Sequence, residues 1–356
     1  MVPKAVKAKI FIALIWAGTS SQKGKYRSRG KERLGRAAKK NVTPGGSLVG
    51  KKTSPLNRKT IRESPTERVH PGSIRLDCLS ARQITRLIHQ EDQKVLQAVK
   101  SQLNSIGRVI EMVKASLSQG GRLLYVGAGS SGRLGVLDAA ECPPTFGVPG
   151  RMVQGILAGG RRGLWKAVEG AEDDWRAGAR AMDKAGVRSG DVVCGITASG
   201  KTPFVRGALR EARKRGAQTV LITSHPQPLL APLGNVLIKA IVGPEVIAGS
   251  TRMKAGTATK MILNMISTGA MIGLGKIWGP WMIDLQPKSR KLKARALRIL
   301  MSILKCSRQR AQRLLRASGG KTKVAIVMGA RNIGRKEAER WILENPGPLR
   351  GILFKN

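Results

Sequence analysis

The chain has 356 residues, 41% hydrophobic and 24% charged, which is enough apolar material for a sizeable core and excludes a disordered polymer. Its formal charge of +44 is concentrated at the ends, with +15 over residues 1–60, +13 over 61–285 and +16 over 286–356, so the middle is closer to an ordinary enzyme. Aromatic residues are only 3%, too few for the stacking platforms of a single-strand nucleic-acid binder, and the cysteines (Cys78, Cys142, Cys194 and Cys306) form no C-x-x-C pair, which argues against a zinc site or a disulfide framework and for a reducing, cytoplasmic setting.

Met1 to Ser20 imitates a secretory leader, with Lys4, Lys7 and Lys9 ahead of the apolar run IFIALIWA. The run is too short to span a bilayer and GTSS is a poor cleavage site, so neither export nor membrane attachment is expected. Residues 17–66 are rich in Gly, Ser, Lys, Arg and Pro without a sustained period and read as a flexible arm, bounded as 1–63. Apolar residues then recur at helical spacing from Leu79 to Leu117, predicting one or two helices.

Beyond them come short apolar runs, RLLYVGAG, MVQGILAG, DVVCGITASG, QTVLITS and VLIKAIVG, most of them separated by helical stretches. That alternation predicts an α/β fold: a three-layer, doubly wound sheet of five parallel strands, covered on both faces and spanning residues 64–290 with its N-terminal helices. STRMKAGTATKMILNMISTGAMIGLGK is apolar nearly all round and predicts a buried or dimer-interface helix. Residues 291–356 read as a small, basic helical domain broken at SGGKT and NPGP.

The motifs lie where strands end. GAGSSG satisfies G-x-G-x-x-G, but the acidic residue that should hold a ribose about 20 residues on is missing from FGVPGRMVQG, so a dinucleotide is disfavoured. Gly129, Ser130 and Ser131 instead offer hydroxyls and free amides at a helix start, suited to a single phosphate; the plain alternative is a tight turn with serine as the N-cap. GITASGKTPF repeats the arrangement with Ser199, Lys201 and Thr202. Two such loops at the carboxyl edge of a parallel sheet can converge on one phosphorylated small molecule. A third cluster, Glu245, Ser250, Thr251, Arg252 and Lys254, follows the fifth strand and is equally readable as helix capping by Ser250 or Thr251.

Taken together, TERVHPGSIRLD, VGAGSSGRLGVLDAAECPPTFG, AVEGAEDD, ASGKTP, VGPEVIAGSTRMKAGTATK and LNMISTGAMIGLGK resemble the N-acetylmuramic acid 6-phosphate etherases, from about Ser64 onward. That family consists of lyases built on a sugar isomerase (SIS) domain, and the glucokinase regulatory protein is a more distant relative. The resemblance implies removal of the D-lactyl ether from N-acetylmuramic acid 6-phosphate during cell-wall amino sugar recycling, in a homodimer and without a metal or organic cofactor. It places the two catalytic glutamates on Glu141, as proton donor, and Glu172, as its acid/base partner.

The chemistry is consistent with those roles: a base takes the C2 proton, an acid protonates the departing lactate oxygen, and water adds back. Alone, Glu141 also reads as a helix-end carboxylate before a Pro-Pro stop, and Glu172 as one of several solvated acids. If Ser131 to Glu141 is one helix, the two lie about 15 Å apart. Either the chain bends back near Gly135 or Glu141 serves a partner subunit's site. The sequence departs from the family pattern at His70 and His225, each before proline where asparagine is expected, at WGPWMID in place of Tyr-Gly-Asn, and at Lys239. A sugar-phosphate sensor without catalysis is the alternative reading, and nucleic-acid contact through the basic ends a third.

Overall fold

A computed structural model describes residues 64–284 and 290–353. The arm and leader-like segment expected over residues 1–63 lie outside this range. The chain enters through short 3-10 turns into α1 (Ala81–Lys100), whose start is set by a capping box in which Ser80 Oγ accepts from the Gln83 amide and the Gln83 side chain accepts from Ser80 N. After a break at Ser101 and Gln102, α2 (Leu103–Ser118) buries Ile106, Val109 and Val113. The periodic stretch is therefore two helices.

All five expected strands form: β1 (Leu123–Gly127), β2 (Val153–Leu157), β3 (Val192–Ile196), β4 (Gln218–Thr223) and β5 (Val236–Lys239). They make one parallel sheet in the order β2-β1-β3-β4-β5. Between or after them run α3 (Gly129–Phe146), α4 (Arg162–Trp165), α5 (Trp175–Lys184), α6 (Pro203–Lys214) and α7 (Lys254–Gly273). Every residue of β1 and β3 is buried because both sheet faces are covered. Leu123 and Tyr125 point into a core shared with α2, α3 and α7, while Leu124 and Val126 point into one shared with α5 and α6. The interior of α7, including Ile262, Leu263, Ile266 and Ala270, belongs to the first core, which explains its all-round apolarity.

WGPWMID forms a small antiparallel hairpin, β6 (Ile277–Trp278) with β7 (Trp281–Met282). Beyond it α8 (Arg290–Leu304), α9 (Arg308–Ala317), α10 (Thr322–Arg331), α11 (Arg335–Glu344) and α12 (Leu349–Leu353) gather round a third apolar cluster. Ile283, ahead of the boundary expected at 291, is part of that cluster. Among the described residues no helix is long and apolar enough to cross a membrane.

Candidate active site

The strand order reverses between β1 and β3: from β1 the chain crosses outward to β2, then returns to the other side of β1 as β3. Ligands of doubly wound sheets sit outside the carboxyl ends at this switch point, and both hydroxyl loops start there, since Gly127 of β1 pairs in register with Ile196 of β3. In the first loop Ala128, not a serine, is the N-cap of α3, and Gly129 follows at φ +51°. The first amide to find a helical partner is that of Gly132, on Ala128 O at 3.2 Å. The amides of Gly129, Ser130 and Ser131 are left at the positive end of the helix dipole, and among the described residues neither serine hydroxyl has a hydrogen-bond partner.

The second loop is organised by Thr197, which the sequence reading passed over. Its buried Oγ1 lies 2.7 Å from Thr202 Oγ1, 3.3 Å from Ser199 Oγ and 3.2 Å from the Gly200 amide it accepts from. Ser199 and Thr202 are thus held side by side, and Ser224 N and Thr223 Oγ1 donating to Ala198 O fasten the loop to the next strand. The spacing T-x-S-x-x-T at a strand end was the available signal.

Glu172 is brought to this loop: its carbonyl accepts from Phe204 N at 2.9 Å, in the first turn of α6, two residues beyond Thr202. Its neighbour Asp174 has a structural task, capping α5 at Ala177 N and pairing with Arg180, whereas no bond engages the exposed Glu172 carboxylate among the described residues. Glu141 is placed differently. The helix carrying it is unbroken from Gly129 to Phe146, so the chain does not turn back on itself at Gly135 and the helix does not stop at Pro143-Pro144. Gly135 lies against the sheet, where a Cβ would come 2.8 Å from Tyr125 Cβ, and α3 runs on until Gly147 adopts αL and donates to Pro143 O. The prolines remove only the donors that would face Ala139 and Ala140. Glu141 is exposed, about 15 Å along the helix from Ser131.

One turn before Glu141 on the same helix, buried Asp138 accepts from Ser267 Oγ at 3.2 Å, tying α3 to α7. Burial pushes the Asp138 carboxyl up, against the hydrogen bond from Ser267.

The third cluster is structural. Neither Ser250 nor Thr251 caps α7. Buried Glu245 does, accepting from Lys254 N at 3.0 Å and Ala255 N at 2.9 Å. The Lys254 ammonium is buried against Glu91 of α1 at 2.6 Å, and Glu91 also meets Lys94 at 2.6 Å and His70 at 3.0 Å. This ion cluster binds the TERVHPG segment, α1 and α7 together.

Residues 105–213 match the family model of the glucokinase regulatory protein N-terminal SIS domain, and residues 176–268 match that of the SIS domain. A phosphoheptose isomerase structure from Neisseria gonorrhoeae is 17% identical over 53% of this chain and 97% of its own, with a TM-score of 0.40, too loose a likeness to carry an argument. The N-acetylmuramic acid 6-phosphate etherases of Trichodesmium erythraeum (strain IMS101) and Geobacillus thermodenitrificans (strain NG80-2) are each 46% identical over 288 residues, covering 81% of this chain and 94% and 98% of theirs. That of Edwardsiella ictaluri (strain 93-146) is 47% identical over 81% of this chain and 96% of its own. The parallel sheet and its family matches define a protein built on a SIS domain. With this identity over nearly the full length of each relative, the chain belongs to the N-acetylmuramic acid 6-phosphate etherase family.

Proposed function

We propose that this chain is a carbon-oxygen lyase that converts N-acetylmuramic acid 6-phosphate and water into N-acetylglucosamine 6-phosphate and D-lactate, in cell-wall amino sugar recycling. Family membership and the arrangement of two hydroxyl loops and Glu172 at the switch point support the reading. The loop amides of Gly129 to Ser131, with the hydroxyls of Ser130, Ser131, Ser199 and Thr202, hold the 6-phosphate. One glutamate removes the C2 proton of the open-chain sugar, the electron pair forms the C2–C3 double bond, and the C3–O bond breaks. The other protonates the departing lactate oxygen, and water then adds across the double bond.

A hexose 6-phosphate is shorter from phosphate to C3 than the stretch of α3 that separates Ser131 from Glu141. Glu141 therefore acts in the site of a second copy within a homodimer, and each site is built from both subunits. D-lactate release checks the reading: Glu141→Gln and Glu172→Gln should each lower kcat by about 10²–10⁴, the ordinary share of a general acid or base. Mixed dimers of Glu141→Gln and Ser131→Ala subunits should regain one intact site and release lactate when neither parent does. Phosphosugar binding without lactate release by the unaltered protein would replace the lyase reading with a sensor, and no recovery in mixed dimers would return Glu141 to its own subunit.

A further inference from the structure

The segment that joins β2 to α5, residues 158–174, carries the most exposed large apolar side chain among the described residues, Trp165, 87% exposed at the end of α4. Single exposed apolar residues are ordinary on a protein surface. The place of this one is not ordinary.

Helix α4 is pinned to the first hydroxyl loop. The Gly163 carbonyl accepts from Arg133 Nε at 2.9 Å, and Arg133 lies two residues past Ser131 on α3. Leu157, at the end of β2, fills the space between them: a Cβ on Gly132 would come 2.5 Å from its Cδ1, and one on Gly163 3.1 Å from its Cδ2. Both backbones close on one leucine side chain, which leaves room only for glycine. Two residues separate Gly163 from Trp165, at most about 7 Å of chain. Downstream, Val168 folds back on Gly159, where an added Cβ would lie 2.8 Å from Val168 Cβ, and the Glu172 carbonyl accepts from Phe204 N beside the second loop. The segment thus runs from one hydroxyl loop to the other, with Trp165 on its course beside the first.

Its surroundings fit a ligand wall better than a subunit contact. Arg161, Arg162, Lys166 and Glu169 are exposed on both sides of the indole, so it is a single aromatic in a charged rim and not the contiguous apolar patch that two subunits bury. Among the described residues no hydrogen bond engages its Nε1. An amino sugar phosphate has the matching anatomy: a dianion for the loop amides and, one sugar ring away, C–H faces and an acetamido methyl that an indole covers while its N–H stays free for a hydroxyl.

We propose that Trp165 is a substrate-binding residue of this site, the apolar wall against which the amino sugar body lies while the two loops hold its 6-phosphate. This rests on the phosphosugar reading of the hydroxyl loops and is independent of the chemistry that follows binding.

Calorimetry on the full chain tests it, with N-acetylglucosamine 6-phosphate and inorganic phosphate as probes of the parent, Trp165→Phe and Trp165→Ala. Trp165→Ala should weaken the sugar phosphate about tenfold and leave inorganic phosphate unchanged, and Trp165→Phe should keep most of the affinity. Indole fluorescence should shift when the parent takes up the sugar phosphate, and Trp165→Phe should lose that shift. In lactate release Trp165→Ala should raise KM with kcat little changed, as for a contact made equally in ground and transition states.

Equal weakening of both probes, or of neither, overturns the proposal. So does sedimentation in which Trp165→Ala no longer self-associates as the parent does, which assigns the indole to a subunit contact. A parent that binds neither probe sinks the loop assignment and the proposal with it. A parent that binds both in the expected way but releases no lactate removes the lyase reading alone and leaves Trp165 where it is placed here.

Discussion

His70 and His225 stand before prolines where the family pattern suggests asparagine, and the structure supplies the reason both are tolerated. In each, the imidazole Nδ1 accepts from the amide two residues on, Gly72 N for His70 and Gln227 N for His225, both at 3.1 Å. That is the bond an asparagine oxygen makes in an Asx turn. Since Nδ1 accepts, the proton of neutral His70 is on Nε2, which points at Glu91 Oε1 3.0 Å away and adds a contact that asparagine could not reach. His70→Asn should therefore keep the turn and lose only the Glu91 bond, while His70→Ala loses both. Urea unfolding should rank them, with the alanine variant about 0.5–1.5 kcal/mol less stable than the asparagine variant. Equal stabilities would show that the Nδ1 bond does not hold the turn.

Helices α5 and α6 set where Glu172 can be, and their contact depends on two residues without side chains. A Cβ on Gly207 of α6 would lie 1.8 Å from Trp175 O, and one on Gly178 of α5 would lie 2.0 Å from Phe204 O. Backbone packs directly on backbone there, a few residues from the Glu172 carbonyl that accepts from Phe204 N. Gly207→Ala should force the pair apart, costing about 1–3 kcal/mol by overpacking and lowering lactate release through a displaced Glu172. Gly107→Ala in α2, where an added Cβ meets nothing within 4 Å, is the matched control and should stabilise by about 0.5–1 kcal/mol. Thermal melts of the two variants beside the parent check both signs. The same reasoning explains why α3 continues through Pro143-Pro144: fixed packing of Ala139, Cys142 and Phe146 into the core outweighs two lost donors near its end.

Across the whole molecule, the Glu91 cluster links the entry segment, α1 and α7. Burial alone would raise the Glu91 carboxyl, but the hydrogen bonds and charge of Lys254, with Lys94 and His70, hold it down at about 2 against an ordinary 4.5. A folded carboxylate that titrates below its unfolded value stabilises fully above the unfolded pKa, and that stability is lost as pH falls through the folded one. The window is therefore about pH 4.5 down to 2, and the contribution above it is of order 3 kcal/mol. Glu91→Gln should leave Lys254 buried without its charge partner, destabilise at neutral pH by about 3–5 kcal/mol and flatten the acid limb of stability against pH. Unfolding midpoints at neutral and acid pH measure both, and an unchanged acid slope would remove Glu91 from the account.

The sequence by itself determined the five strands, the two N-terminal helices, the buried α7 and the strand-end loops, because each follows from local periodicity or from small residues at a strand terminus. Glu141 and Glu172 were legible only through the resemblance, since an exposed carboxylate on a helix or turn carries no local signature. What tertiary structure decided was pairing across distance: Thr197 as the hub of the second loop, Glu245 rather than Ser250 or Thr251 as the cap of α7, and Glu91 as the partner of Lys254, 163 residues away. It also decided that α3 runs unbroken from Gly129 to Phe146 and carries Glu141 about 15 Å along the helix from Ser131. Such choices depend on which faces meet once the sheet is covered, and burial then makes any unpaired charge or donor costly enough to select its partner from the far side of the chain.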